Sequence, residues 1–409
     1  MAALSHRGFA AFFTAASVSN AASWMQLVAV PALLYDMTGQ ATWLGISSMA
    51  TLVPAVVLTP WAGVLADRVP RRRILLVTQT TMMVAAFSLW LMYVASVLTP
   101  WRIVAMGLVT GTATGFQTSA WQSFIPSLVP PEDMLDAVRL NSVQFTVARF
   151  VGPALAGAVL AAFGTGAAIF LNAATFPLVI VVLAVVPVRA GPRPDRGERV
   201  MTALVEGARY VWRHAPVRLA VLLALASSMG GQSLQYVASA IASQVYGRPS
   251  TANAGLLTAL GLGALVASVA ATAIGGRVAR SRQVSAALAL YTASTALLAL
   301  STHYVIGLLG YFVGGVAHLT MAVALNTLVQ GEVPDAMRGR ALSFYLLGIL
   351  AGIPLGSMLI GRLGDAVGLR PVLLADAALF AVMLSGLILT HRLRILDGSP
   401  ASTPAVSNV

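Results

Sequence analysis

Few residues in this chain could do chemistry, and they stand far apart inside apolar sequence. Arg149, His318 and Asp376 are the ionisable side chains set deepest in long apolar runs, with Asp36 at the rim of another. Histidine titrates near neutral pH and an intramembrane carboxylate marks a proton or ion path, so His318 and Asp376 are candidates for carrying a coupled proton. Each has a plainer reading: a lone histidine packed or hydrogen-bonded on its helix, and a structural acid. A buried arginine such as Arg149 either faces a cavity or partner, or snorkels to the surface. Nothing around these residues completes a catalytic constellation. The five histidines are scattered, there is no H-E-x-x-H, no phosphate-binding P-loop, and no pair of acids inside an apolar run. With no cysteine, disulfides and thiolate metal sites are excluded. An enzyme is disfavoured, and no metal or cofactor is called for.

The elements that must position these residues are membrane helices. Only 9% of the 409 residues are charged and 58% are hydrophobic, against roughly 25% charged in a soluble domain. So little charge cannot cover a water-facing surface. A span needs about 20 apolar residues. The pattern predicts twelve: 10–35, 41–66, 74–97, 101–126, 140–162, 165–187, 217–245, 252–276, 283–301, 304–330, 341–364 and 369–391. The first reads as a retained span rather than a cleaved leader. All 25 basic residues are arginine, and the net charge is +12. They cluster between spans rather than on one face, which is a topological pattern and not a nucleic-acid interface. Arg68, Arg71, Arg72, Arg73, Arg139, the run from Arg189 to Arg218, Arg277, Arg280, Arg282, Arg338, Arg340, Arg392 and Arg394 all fall on one side. Only Arg102, Arg248, Arg362 and Arg370 fall on the other. This asymmetry predicts a multi-pass protein of the inner (plasma) membrane with both termini cytoplasmic.

The chain also divides. Residues 1–190 form one predicted six-helix bundle and 217–394 another. Residues 191–216 form a cytoplasmic linker, and 395–409 a tail without predicted structure. Within the linker, 199–213 places Val200, Ala203, Leu204, Ala208 and Val211 on one helical face. That helix either lies on the membrane surface or is a solvated connector. Internal repetition supports the division. Val129-Pro130 with Arg139 parallels Val333-Pro334 with Arg338 and Arg340, Pro153 parallels Pro354, and Gly164 with Asn172 parallels Gly368 with Asp376 at equal spacing.

The loop Gly63-Val64-Leu65-Ala66-Asp67-Arg68-Val69-Pro70-Arg71-Arg72-Arg73 resembles the signature loop of the major facilitator superfamily, with Pro70 where relatives carry glycine. A narrower likeness covers most of the chain. It rests on Tyr35 to Gly39, on Asn141-Ser142 with Ala148 to Gly157, and on Val333-Pro334-Asp335 to Arg338-Gly339-Arg340. These are similar to bacterial drug and siderophore exporters of the enterobactin-exporter-like and macrolide-efflux-like kind. The resemblance implies an all-α fold of two pseudo-symmetric six-helix bundles and alternating-access export coupled to protons. A facilitator-type importer or lipid flippase on the same fold is the alternative, and a membrane-embedded enzyme the remote one.

The resemblance also suggests roles. Gly63, Asp67, Arg68, Arg71 and Arg72 would form a gate, with Asp67 meeting the start of the eleventh span; otherwise they are only a topological charge cluster. Arg149, Gly152, Pro153 and Gly157 resemble an antiporter motif, although Ala156 replaces a glycine. The implied cavity would be lined by Asn20, Trp24, Gln26, Gln117, Trp121, Gln122, Gln144, Gln232, Gln235, His318 and Asn326. With no fixed acid among them, a bulky, apolar, uncharged or amphiphilic small molecule is the expected substrate. The other expected partners are protons and membrane lipids, with the chain a monomer. Gly107, Gly111 and Gly115, and Gly348, Gly352 and Gly356, read as faces for close helix packing.

Overall fold

In a computed structural model, residues 2–188, 200–274 and 277–397 are described, and among them the chain is helical with no strand. The helices are α1 (Arg7–Thr38), α2 (Ala41–Arg68), α3 (Arg71–Val94), α4 (Pro100–Phe124), α5 (Met134–Val185), α6 (Val200–Arg213) and α7 (Ala215–Gly230). They continue with α8 (Ala238–Ala240), α9 (Asn253–Ile274), α10 (Arg280–Leu300), α11 (Tyr304–Glu332), α12 (Asp335–Val367) and α13 (Leu369–Leu389). Among the described residues nine helical stretches are long and apolar enough to cross a membrane. One of them, 131–185, has 55 residues, more than twice the ~20 a single span needs. It folds back at Gly164, whose φ of 76° suits a residue without Cβ. Gly368, with φ 89°, makes the equivalent turn between α12 and α13. α1 and α4 have 32 and 25 residues; serine, threonine, asparagine and glutamine lower their hydropathy.

The repeat seen in the sequence is seen again in the packing. In the first half α1 packs on α5, α2 on α4, and α3 on α4 and α5; in the second α7 packs on α12, α9 on α11, and α10 on α11 and α13. Glycines set these approaches. A Cβ on Gly111 would lie 2.1 Å from the Thr51 carbonyl of α2, and one on Gly356 would lie 2.0 Å from the Met229 carbonyl of α7. Backbones pack this closely only where side chains are small.

The predicted seventh span is not one helix. α7 ends at Gly230, and the backbone continues as a 3-10 turn (Gln232–Gln235), α8 and a π turn (Ile241–Val245). Gly230 and Gly231 sit beneath Tyr291, Phe380 and Asp376, with no room for a Cβ. Irregular backbone at membrane depth is tolerated where protein covers it, and residues 232–242 are nearly all buried. The Tyr311 hydroxyl donates to the freed Leu234 carbonyl at 2.9 Å.

Candidate transport site

The two halves meet mainly through α2 against α12 and α5 against α9. At the end away from both termini, here the distal end, this seam is dense. α2 and α12 run antiparallel, so the C-terminal end of α12 lies beside the N-terminus of α2. There the Asp365 carboxylate accepts from the backbone N–H of Ala41 at 2.8 Å and of Thr42 at 2.7 Å. The cap residue of α2, Gln40, makes no side-chain cap. Asp365 therefore satisfies amides that a helix start leaves open, and it faces the positive end of the helix dipole. A Cβ on Gly361 would meet the Ala41 carbonyl at 2.5 Å, and one on Gly45 the Met358 Cα at 2.6 Å. The Ser48 and Ser357 hydroxyls bond to each other across the same seam.

Two further bonds tie the second half to α1: Asn253 Nδ2 to the Val28 carbonyl at 3.0 Å, and Ser239 Oγ to the Pro31 carbonyl at 3.3 Å. One continuous hydrophobic core surrounds these contacts, with Met25, Val28, Leu34, Leu44 and Ile169 from the first half and Leu234, Ile241, Leu256 and Ile360 from the second. A cleft of about 560 Å³ at the distal surface is lined by Gly39, Gln40, Gln244, Arg362 and Asp365 among others.

At the end that bears the termini the cores are separate. One is built from the first half alone, around Phe9, Phe12, Trp121, Phe124 and Leu183. The other is built from the second half with α6, around Val211, Leu288, Met321, Tyr345 and Phe380. At this end the α5 residues Val138, Val143, Phe145 and Val147 are exposed, on more than one face of the helix. Of the predicted gate, the side chains of Gly63, Asp67 and Arg68 lie outside the described residues. Arg71 donates to the Ser123 carbonyl in the last turn of α4 at 3.0 Å, a cation at a helix C-terminus. Arg72 is half-buried beside it. The linker helix α6 docks on the second half: Val211 enters its core, Gly207 packs under Phe344, and Glu206 pairs with Arg340 at 2.5 Å. The linker segment 191–199 and the tail 398–409 lie outside the described residues.

Between the two ends sits Arg149, in the first arm of α5. Its guanidinium carbon is 5.5 Å from the centroid of the Trp24 ring on α1. Three residues on, Gly152 lets α1 approach, a Cβ there being 2.3 Å from Trp24 Cβ. The Arg149 backbone carbonyl faces Gly261 of α9, and Gly157 faces Ala254. Pro153 is buried in the same stretch. Tyr236, Tyr291 and His318 of the second half lie close enough to feel the Arg149 charge. His318 Nδ1 is 3.5 Å from the Tyr291 hydroxyl, and the Tyr291 ring stacks on Phe380. Asp376 packs against Gly230, and its Oδ2 is buried without a hydrogen-bond partner.

The other predicted cavity residues separate into groups. Asn20 Nδ2, Gln117 Oε1, both amide atoms of Gln144 and Gln235 Oε1 are buried with no hydrogen-bond partner among the described residues. Gln26 instead accepts from Asn172 at 2.6 Å, while Asn172 Oδ1 accepts from Ser23 at 3.2 Å. Trp121 belongs to the first-half core, with Nε1 3.5 Å from Asn141 Oδ1. Gln232 donates to Ser228, Asn326 accepts from Gln330, and Gln122 is exposed.

Asp365 was missed in the sequence. The signal was there: Gly361-Arg362-Leu363-Gly364-Asp365 repeats the Gly-x-x-x-Asp spacing of Gly63 to Asp67, each at the C-terminal end of its helix.

Residues 1–406 match the family described as transmembrane secretion effector. The chain is 25% identical over 395 residues to the multidrug efflux pump Tap of Mycolicibacterium fortuitum, covering 94% of this chain and 95% of that one. It is also 25% identical over 390 residues to the enterobactin exporter EntS of Shigella boydii, covering 94% and 91%. In fold it is similar to the nucleoside transporter NupG, with TM-score 0.76 and 13% identity over 94% of this chain and 99% of that one. It also resembles a bacterial homologue of the human lysosomal transporter Spinster, with TM-score 0.71 and 15% identity over 97% and 98%.

Proposed function

The chain belongs to the transmembrane secretion effector family of the major facilitator superfamily, a multi-pass membrane transporter rather than an enzyme, and we propose that it exports an amphiphilic small molecule by alternating access, driven by protons. In this reading the halves 1–190 and 217–394 rock about the site at Arg149. The termini face the cytoplasm, the distal end faces outward, and the protein works as a monomer in the inner membrane. The observation that carries the reading is the contrast in packing: one shared core at the distal end and two separate cores at the terminal end. A transporter open to the cytoplasm needs that arrangement, and it can load from within the cell. The likeness to Tap and EntS, both named as exporters, supports the direction. His318, beside Tyr291, and Asp376, packed against Gly230, are the two candidates for the coupled proton.

The test compares dye accumulation in cells with and without the gene, over a panel of amphiphilic dyes and antibiotics. Expressing cells should hold less of at least one compound, a protonophore should abolish the difference, and either His318→Gln or Asp376→Asn should remove its dependence on external pH. Higher accumulation in expressing cells would point to import and overturn the proposal.

A further inference from the structure

Arg149 has a buried guanidinium Nε with no hydrogen-bond partner, and no described carboxylate pairs with it. Arg149 keeps part of its surface accessible, but a guanidinium nitrogen buried without a partner or an anion is costly. Lying over the Trp24 ring recovers part of that cost. Tyr236, Tyr291 and His318 of the second half share the surroundings of Arg149 without bonding to it, and none is an anion at neutral pH. Asp376, the acid deepest in that half, stands beyond Tyr291 and Phe380 on α13. So Arg149 is a fixed positive charge at the junction of the halves, with its counter-charge not supplied by the described chain.

Two glutamine amides near the same junction are also unsatisfied. Gln144, one and a half turns before Arg149 on α5, and Gln235, beside Tyr236 in the broken stretch after α7, are each 5% exposed and have buried amide atoms without partners. Buried amides in a finished core are nearly always bonded. Trp24 offers an aromatic face beside the cation.

We propose that Arg149, with Trp24, forms the recognition site for an acidic group on the transported molecule, so that the substrate class is an aromatic or amphiphilic organic anion rather than a cation. This rests on the reading of the chain as a small-molecule exporter and narrows the substrate from any amphiphile to one carrying a carboxylate, sulfonate or ionised phenol. A guanidinium forms two parallel bonds to such a group, and a lipophilic cation would meet like charge there.

Three probes of one scaffold test this: dansylglycine (anion), dansyl amide (neutral) and dansylcadaverine (cation). Binding to the purified full-length protein is read by energy transfer from tryptophan to dansyl. Dansylglycine should bind at least tenfold tighter than either of the others. Arg149→Gln should remove that preference, weakening dansylglycine at least fivefold more than dansyl amide, and Arg149→Lys should retain part of it. Equal binding of the three probes by the wild type, or a preference for the cation, would overturn the proposal without any variant. So would an Arg149→Gln protein, monodisperse and folded, that keeps the preference. The export reading fails separately. If the protein discriminates in favour of dansylglycine but expressing cells accumulate it, the direction is wrong and the anion site stands.

Discussion

The distal seam and the terminal end are built from the same pair of antiparallel helices, α2 and α12, yet they are packed differently. At the distal seam glycines bring the backbones together, a carboxylate caps a helix start, and residues of both halves share one core. At the terminal end each half keeps its own core, and apolar residues of α5 are left exposed. An antiparallel pair with an acid near the C-terminal end of each helix can cap the partner's N-terminus at either end. Asp365 does so at the distal end. Asp67 stands in the equivalent place on α2, one residue before the helix ends. We propose that the two acids are alternate locks, so that strengthening one end favours opening the other. The difference also locates the stability of the state seen: it lies in tight backbone contact first and in charge second.

Substituting a glycine whose Cβ would meet backbone across the seam should have the largest effect. In Gly45→Leu the new Cβ would fall 2.6 Å from Met358 Cα and 2.9 Å from the Ser357 carbonyl. Backbone atoms cannot yield as a flexible side chain can. The distal end should be wedged open and transport should fall by roughly tenfold or more, while a cysteine at Ser48, buried in the closed seam, becomes reactive to an impermeant thiol reagent from outside. Normal transport with no added labelling would break the comparison.

A smaller effect is expected for Asp365→Asn. The contact is a charge at a helix start near the surface, worth about 0.3–1 kcal/mol. That changes the ratio of distal-closed to distal-open protein by up to about fivefold. The amide still accepts one backbone bond, so labelling of the cysteine at Ser48 should rise modestly and the protein should remain folded. Asp365→Glu should recover part of the closure.

Glu206→Gln at the terminal end should do least. Its partnership with Arg340 is an exposed pair of the kind typically worth well under 1 kcal/mol. Transport should change less than twofold, measured as dye efflux in the same cells. A large loss would show that α6 is a gate element and not only a docked linker.

Much of the fold could be read in the sequence because membrane helices announce themselves by length and apolarity. Most helix limits fall within about three residues of those expected, α5 and α12 each begin six residues earlier than expected, and the turns at Gly164 and Gly368 stand where the repeat places them. The seventh span failed because apolar composition says nothing about continuity. What breaks it is Gly230-Gly231 meeting Tyr291 and Phe380, residues distant in sequence. Among site residues, Arg149 and Gln144 stand out as polar groups in apolar runs. Trp121 was placed with the cavity residues because its type gives no sign of which face it takes, and it packs against Phe12 in a core. Asp365 went unnoticed because one acid at a helix end looks topological until the partner helix is in view.

The most direct measurement of the two-ended account is a pair of distances in one molecule. The chain has no cysteine, so spin labels can be placed at will. One pair, Gln40→Cys with Ala366→Cys, spans the distal seam; the other, Val138→Cys with Thr272→Cys, spans the terminal end. Double electron–electron resonance on each pair, in lipid nanodiscs at several pH values and with bound probe, should give a short, narrow distal distance where the terminal one is long. The two populations should exchange in opposite senses, with Asp365→Asn moving both toward distal-open. Distances that lengthen together, or a distal distance unmoved by every condition and by Gly45→Leu, would contradict the account.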